Sequence, residues 1–337
     1  MNTSETAKHL GFLIFPGFPM ACLTSAIEPL RAANEITGRR AFRWSVISED
    51  RGRVASSAEV LFEPGLSLSE ARNLDYLFFL SSPTGWFHAP RAAGAGVRWL
   101  ARQGMPVGAF SGGIFPLARL GLLNDHGCSV HWCYDAAFRA EFPSVDARAE
   151  VMTIDRGRIT AAGATAVFDL MLKLIEDDLG PEVMTEVACW FQHPVVRGPD
   201  VMQRMPGWRA DRTQDLMPPA VSAAIRLFSA HIDEPLSIAE VAARIGQSAR
   251  QLDRSFQRAT GMTPLRYYRM IRLKQARQLV QFSDATLTSV ALAVGYASST
   301  PMVRHYVEEF GLTPQADRIA RNQFRENGMS VRHMAQG

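Results

Sequence analysis

The chain has 337 residues, 47% of them hydrophobic and 20% charged, with a formal net charge of +3. That composition excludes a disordered or fibrous chain, and the length exceeds what one hydrophobic core usually organises, so two domains are expected. The polar stretch 1–8 carries Glu5, and the apolar run from Leu10 to Leu30 is broken by Pro16, Pro19 and Glu28, which argues against a signal peptide or a membrane span and for a cytoplasmic protein.

The first two hundred residues alternate strand-like and helix-like stretches, the pattern of a doubly wound α/β domain. Leu10 to Phe15 reads as a strand, Leu23 to Asn34 as an amphipathic helix, Phe42 to Ile47 as a strand and Tyr76 to Leu80 as a strand buried on both faces. Val97 to Arg102 reads as helix, Pro106 to Phe110 as strand, and Phe115 to Leu120 opens another helix. Ligands of such sheets sit at the carboxyl ends of the strands, which points to Pro16–Pro19, Ser81–His88 and Ser111–Gly113. Ser111, between a strand and a helix and followed by Gly112 and Gly113, is placed as a nucleophile elbow would place it. His131 and Glu28 are the nearby base and acid candidates; the alternative is a serine that caps a helix or holds a ligand. Cys22, Cys128, Cys133 and Cys189 lack a C-x-x-C spacing, so reduced, mostly buried thiols are expected, with no metal site and no cofactor. The α/β domain is expected over residues 1–196. A linker rich in Pro, Gly and charge follows over 197–218.

From Pro219 onward there are 15 Lys/Arg against 9 Asp/Glu, a net of +6, which leaves −3 for residues 1–218. This basic part is internally duplicated. Ser237-Ile238-Ala239-Glu240-Val241-Ala242, Ile245-Gly246, Arg254-Ser255-Phe256 and Gly261-Met262-Thr263-Pro264 return as Thr286-Leu287-Thr288-Ser289-Val290-Ala291, Val294-Gly295, Arg304-His305-Tyr306 and Gly311-Leu312-Thr313-Pro314. The spacing is 49 residues up to the central glycine and 50 after it. Ser237 with Glu240 is a capping box, Gly246 a turn glycine and Ser248 the cap of a helix running to about Thr260. That helix buries Leu252, Phe256 and Ala259 and presents Arg250, Arg254 and Arg258 at i, i+4 spacing, with Gln251 beside them. This is a helix-turn-helix. Arg254 and Gln251 suit base edges, Arg258 and Arg244 phosphates. Thr263-Pro264 opens a linking helix of roughly 16 residues, about 24 Å at helical rise, with Leu265, Tyr268, Ile271, Ala276 and Leu279 as its apolar set. From Arg244 to Arg277, eight arginines and Lys274 face the single acid Asp253, a run expected to meet phosphate.

Residues 219–320 resemble the DNA-binding domain of the AraC/XylS family. The motifs carrying the resemblance are both helix-turn-helix units, the stretch Arg272–Arg277, the turn Val294-Gly295-Tyr296 and the ending Phe310–Pro314. The resemblance implies promoter DNA and RNA polymerase as partners and a second reading helix from Ser299 presenting Thr300 and Arg304, with Pro301 in place of a polar residue. Residues 321–337 are left as a disordered tail. The first domain resembles the PfpI/ThiJ domain, a flavodoxin-like fold related to class I glutamine amidotransferases, of GlxA-type regulators. Phe15–Phe18, Ile27–Asn34, Leu117–Leu123 and His131-Trp132 carry that likeness. Enzymes of that superfamily have a cysteine where this chain has Ser111. The implied function is a ligand-responsive activator of amine or amino-acid catabolic genes that dimerises through its sensor; Ile27–Asn34 and Phe42–Trp44 point to glycine betaine, carnitine or related amines. An aromatic cage from Trp86, Phe87 and Trp132 would hold a quaternary amine, with Glu28, Ser111, Gly112 and His131 as polar or close-approach contacts. Two alternatives stay open: a serine-dependent hydrolase or amidotransferase-like enzyme using Ser111 with the C-terminal domain as DNA tether, and a first domain serving only to dimerise.

Overall fold

The computed structural model describes residues 7–193, 195–204 and 217–319 and divides into two compact units, one ending its main run at Gln203 and the next beginning at Arg204. The expected tail at 321–337, and residues 205–216 of the expected linker, lie outside the described residues.

The first unit contains, in order, β1 (Lys8–Ile14), α1 (Met20–Thr37), β2 (Phe42–Ser48), β3 (Val54–Ala55), β4 (Leu61–Phe62), β5 (Leu66–Ser67), β6 (Tyr76–Ser81), α2 (Pro90–Arg102), β7 (Val107–Ser111) and α3 (Ile114–Arg119). It continues with β8 (Gly127–Ser129), α4 (Asp135–Glu141), β9 (Asp146–Arg148), β10 (Met152–Asp155), β11 (Arg158–Ala161), α5 (Ala164–Leu179) and α6 (Pro181–Trp190). Seven strands form one sheet in the order β10-β11-β7-β6-β1-β2-β5, parallel throughout except for the β10–β11 pair. The continuous apolar runs of β1, β6 and β7 follow from helices covering both faces of a parallel sheet. One layer packs α1 against α5, with Ala26, Leu30 and Ala33 meeting Leu170, Met171 and Leu174 in a single core. The doubly wound expectation is met, and the seven elements predicted from the sequence are present with bounds shifted by a few residues.

Residues 197–203, expected as linker, belong to the first unit. The buried Asp169 on α5 binds His193 at 2.6 Å and Arg197 at 2.7 Å. Val151 N–H donates to Val201, Met202 bridges Glu150, and Gln203 reaches Val130 and Glu150. A composition rich in Pro and charge hid this, because the segment is held by long-range bonds rather than by a periodic face. The thiols also divide: Cys22 and Cys128 are buried, each pushed up to about 12 by burial, whereas Cys133 is half-buried and Cys189 exposed.

The second unit holds α7 (Pro219–Ala230), α8 (Ile238–Arg244), α9 (Ala249–Thr260), α10 (Pro264–Phe282), α11 (Leu287–Ala293) and α12 (Ser299–Phe310). Its core joins Val221, Ile225 and Phe228 of α7 to Leu252 and Phe256 of α9 and Tyr267 and Tyr268 of α10, with Phe228 stacked on Tyr268 at 4.2 Å. The linking helix α10 has 19 residues, longer than expected, and its apolar set needs correction. Leu265 is exposed, and Tyr267, Met270 and Leu273 are buried instead. A helix covered by packing partners on more than one side buries residues around its circumference, so a single-stripe reading misassigns it.

Candidate nucleic-acid interface and sensor site

In the first helix-turn-helix both caps form as expected. Ser237 Oγ accepts from Glu240 N–H and Glu240 accepts from Ser237 N–H at 2.8 Å, while Gly246 turns the chain at φ +71°. Ser248 Oγ accepts from Gln251 N–H, and Gln251 Oε1 accepts from Ser248 N–H at 2.9 Å and from its hydroxyl at 3.0 Å. The carbonyl end of Gln251, expected at a base edge, is therefore used to close the start of its own helix. Leu252, Phe256 and Ala259 are buried, and Arg250, Arg254 and Arg258 stand exposed on the opposite side. Among the described residues no carboxylate pairs with any of these three. Arg244 is tied to His231 at 3.2 Å.

The arginine run is not uniform. Arg272 Nε donates to Val294 at 2.7 Å and its Nη2 to Gly295 at 2.6 Å, with the guanidinium 4.4 Å from the Tyr296 ring centroid. Arg277 binds Asp317 at 2.6 Å, and Asp317 also accepts from Tyr306 at 2.7 Å and Gln281 at 2.9 Å. Two of the arginines expected at phosphate thus pin the second helix-turn-helix to α10. Neither Asp317 nor Tyr306 carries a sequence signal of that role beyond the repeat itself. In α12, Thr300 and Arg304 are exposed and Ser299 is half-buried. Arg304 lies 4.0 Å from Glu308 and 3.5 Å from His305, so its charge is partly shared within the protein. Pro301 falls in the first turn, where a missing N–H breaks no helical bond.

In the first unit the carboxyl ends of β1, β6 and β7 converge. Ser81 and Ser111 are register partners, and Ser82 Oγ contacts the Pro16 carbonyl at 3.5 Å. Ser111 has φ +51°, a left-handed backbone that a serine rarely adopts, and is buried. The chain can turn so sharply because Gly112 follows: a Cβ there would come within 2.7 Å of the Ser82 carbonyl carbon and 2.8 Å of Pro83 N. No hydrogen-bond partner meets the Ser111 hydroxyl among the described residues. His131 Nδ1 is instead 2.9 Å from Cys133 Sγ, and burial lowers the imidazole below its ordinary pKa, so it is neutral at pH 7.

The expected aromatic cage is not assembled as drawn from the sequence. Phe87 packs edge-on against Phe15 at 4.9 Å and belongs to the core. Trp86 is exposed, and Arg119 lies over its ring at 4.1 Å, held by Glu141 at 2.7 Å and by the carbonyls of Gly85 and Pro83. Arg119, which the sequence reading passed over, fills a cation–π position with the protein's own charge. It also connects the set: Arg119 reaches Phe115, Phe115 meets Tyr134, and Tyr134 and Trp132 flank His131 at 5.6 and 5.4 Å. Trp132 N–H is held by Gln203 at 2.9 Å. Glu28 is engaged by Arg31 at 2.9 Å on the surface of α1.

A doubly wound α/β unit followed by a duplicated helix-turn-helix with an arginine-lined reading helix defines a two-unit DNA-binding regulator. The model of the family described as "Helix-turn-helix domain" matches residues 241–319. The chain is 33% identical over 315 residues to the HTH-type transcriptional regulator GbdR of Pseudomonas aeruginosa, covering 94% of this chain and 85% of that one. It is 32% identical to the HTH-type transcriptional regulator GlxA of Rhizobium meliloti, covering 93% and 96%. A crystal structure of an AraC family transcriptional regulator from Pseudomonas putida matches with TM-score 0.50 at 26% identity, over 55% of this chain and 99% of that one. The chain belongs to the AraC family of transcriptional regulators, in the group that includes GbdR and GlxA. No helix among the described residues is long and apolar enough to cross a membrane.

Proposed function

We propose that this DNA-binding regulator is a ligand-responsive activator, in which a small amine or amino-acid derivative binds at the Ser111 elbow and shifts how a dimer engages promoter DNA and RNA polymerase. The observation that carries the sensor reading is Ser111 itself. Its hydroxyl sits on a strained turn at the carboxyl ends of three strands, with no partner among the described residues, which is the disposition of a group kept for a ligand. A serine nucleophile needs a positioned base. Among the described residues no imidazole or carboxylate bonds to Ser111, and His131 is directed to Cys133, which favours the sensor over the hydrolase reading. In the DNA-binding unit, Arg250, Arg254 and Arg258 are assigned to the groove and its phosphates, Arg304 and Thr300 to a weaker second contact, and Ser248 with Gln251 to holding the first reading helix in shape. Arg244 and Ser299 flank these surfaces.

The ligand must differ in affinity between two states to shift anything. A thermal-stability screen of the full chain with glycine betaine, carnitine and amino acids is expected to show a rise in Tm for one of them, reduced in Ser111→Ala. Turnover of an amide or ester that disappears in Ser111→Ala would replace this reading with the enzymatic one.

A further inference from the structure

A cleft opens on the first unit away from the elbow, between α2 and the segments that follow the carboxyl ends of β2 and β5. It has a volume of about 530 Å³, within the range of small-molecule sites, and shares no lining residue with the Ser111 turn. One wall is Ala89 and the face of α2 that carries Ala92, Gly96 and Trp99 at helical spacing. That helix buries Gly94 and Val97 against the domain and leaves this face uncovered, with Trp99 54% exposed. The opposite wall is Leu68, Ser69 and Arg72.

Among the described residues two charged side chains line the cleft, Glu49 and Arg72, and they are unequal. Glu49 accepts from His88 N–H and Ala89 N–H, both at 2.7 Å, so both of its oxygens are engaged at the start of α2. The neighbouring Glu70 is likewise engaged, by Ser67 N–H at 2.8 Å and the Ser67 hydroxyl at 2.9 Å. Arg72 donates to the Ala71 carbonyl at 3.0 Å and pairs with no carboxylate among the described residues. The result is an apolar trough with an exposed indole at its side and one uncompensated guanidinium at its rim.

We propose that this cleft binds a small monocarboxylic acid with an aliphatic or aromatic body, Arg72 taking the carboxylate and the α2 face with Trp99 covering the hydrocarbon. The guanidinium fork matches a carboxylate in two parallel hydrogen bonds, and it lacks such a partner here. A cation finds nothing equivalent, since Glu49 is committed to two N–H donors. The site stands independently of the reading given for Ser111.

Calorimetric titration of the full chain with benzoate and with hexanoate tests it, using benzamide and benzylamine as neutral and cationic controls. Saturable binding of both acids at one site per chain is expected, at least tenfold tighter than benzamide, with Arg72→Gln weakening the acids about tenfold or more and leaving benzamide unchanged. Ala92→Leu fills the trough and is expected to abolish binding of both acids, which keeps the test decisive if Arg72→Gln fails to fold. Absence of saturable binding by the wild type, binding unaffected by Ala92→Leu, or benzylamine binding as tightly as benzoate would overturn the proposal. So would a tryptophan emission shift with protein concentration, in the absence of ligand, that wild type shows and Trp99→Phe lacks, because the cleft would then be covered by a second copy of the chain.

Discussion

At Ser111 the backbone conformation and the side chain make separate contributions, and substitution can divide them. A non-glycine residue held at φ +51° costs about 1 kcal/mol or more, and the cost belongs to any side chain with a Cβ. Ser111→Gly is therefore expected to stabilise the α/β unit by about 1 kcal/mol relative to Ser111→Ala, read as a difference in chemical unfolding midpoints. Equal midpoints would show that the turn carries no strain. Asp317 offers a second case, with a sign set by its surroundings. Burial would raise its pKa, but hydrogen bonds from Arg277, Tyr306 and Gln281 and the charge of Arg277 hold it below the ordinary carboxylate value. A lowered folded-state pKa gives stability that is present above the unfolded value, near 4, and is lost as pH falls through the folded one. Asp317→Asn should cost the DNA-binding unit ~2 kcal/mol at pH 7, and the gap from wild type should shrink steadily below about pH 4. A gap unchanged at pH 3 would contradict this. At this scale the sequence was partly legible. The exposed Arg250, Arg254 and Arg258 follow from periodicity alone, whereas Arg272 and Arg277 look identical to them in sequence and differ only in what folding brings beside them.

The two helix-turn-helix units show how equal sequence becomes unequal structure. Gly246 and Gly295 occupy matching positions at the same φ of +71°. A Cβ on Gly246 would meet nothing within 4 Å, but one on Gly295 would lie 2.5 Å from the Ile232 carbonyl oxygen and 2.6 Å from Pro235. Gly246→Ala is expected to cost about 1 kcal/mol, the left-handed penalty alone. Gly295→Ala should cost about 3 kcal/mol, because overpacking against backbone is added to it. Comparable losses in urea unfolding would mean the second turn can move off the Ile232–Pro235 segment. The reading helices differ in the same direction: among the described residues Arg254 has no ion-pair partner, while Arg304 has Glu308 at 4.0 Å and His305 beside it. Arg254→Ala is expected to weaken promoter binding by about tenfold or more, and Arg304→Ala by less, in a mobility-shift titration. Equal effects would remove the asymmetry. Elements with caps were legible in the sequence, since Ser237, Ser248 and Thr263 mark helix starts wherever the chain goes. The strands from β8 to β11 were not, because segments of three or four residues have too few positions to show a period.

Across the whole molecule the charge is divided between the units, with −3 over residues 1–218 and +6 beyond. The basic unit packs from α7 through α10, so DNA attraction is carried by a compact body with its own core. If the arginine face neutralises on the order of four phosphates, raising salt from about 50 to 200 mM should weaken binding about a hundredfold. Arg258→Ala should flatten that slope by about one counterion, whereas a salt-independent affinity would count against the interface assigned here. Local rules sufficed for the duplicated reader, its caps, its buried Leu252–Phe256–Ala259 face and the alternation that makes a doubly wound sheet, because each depends on residues within a turn or a strand of one another. The tertiary structure alone decided that Arg272 and Arg277 face inward, that Arg119 occupies Trp86 and that residues 197–203 belong to the first unit. Those outcomes rest on hydrogen bonds and ion pairs, most of them between residues far apart in sequence, and the energy of such a contact depends on where the fold places its partner, which composition and periodicity do not encode.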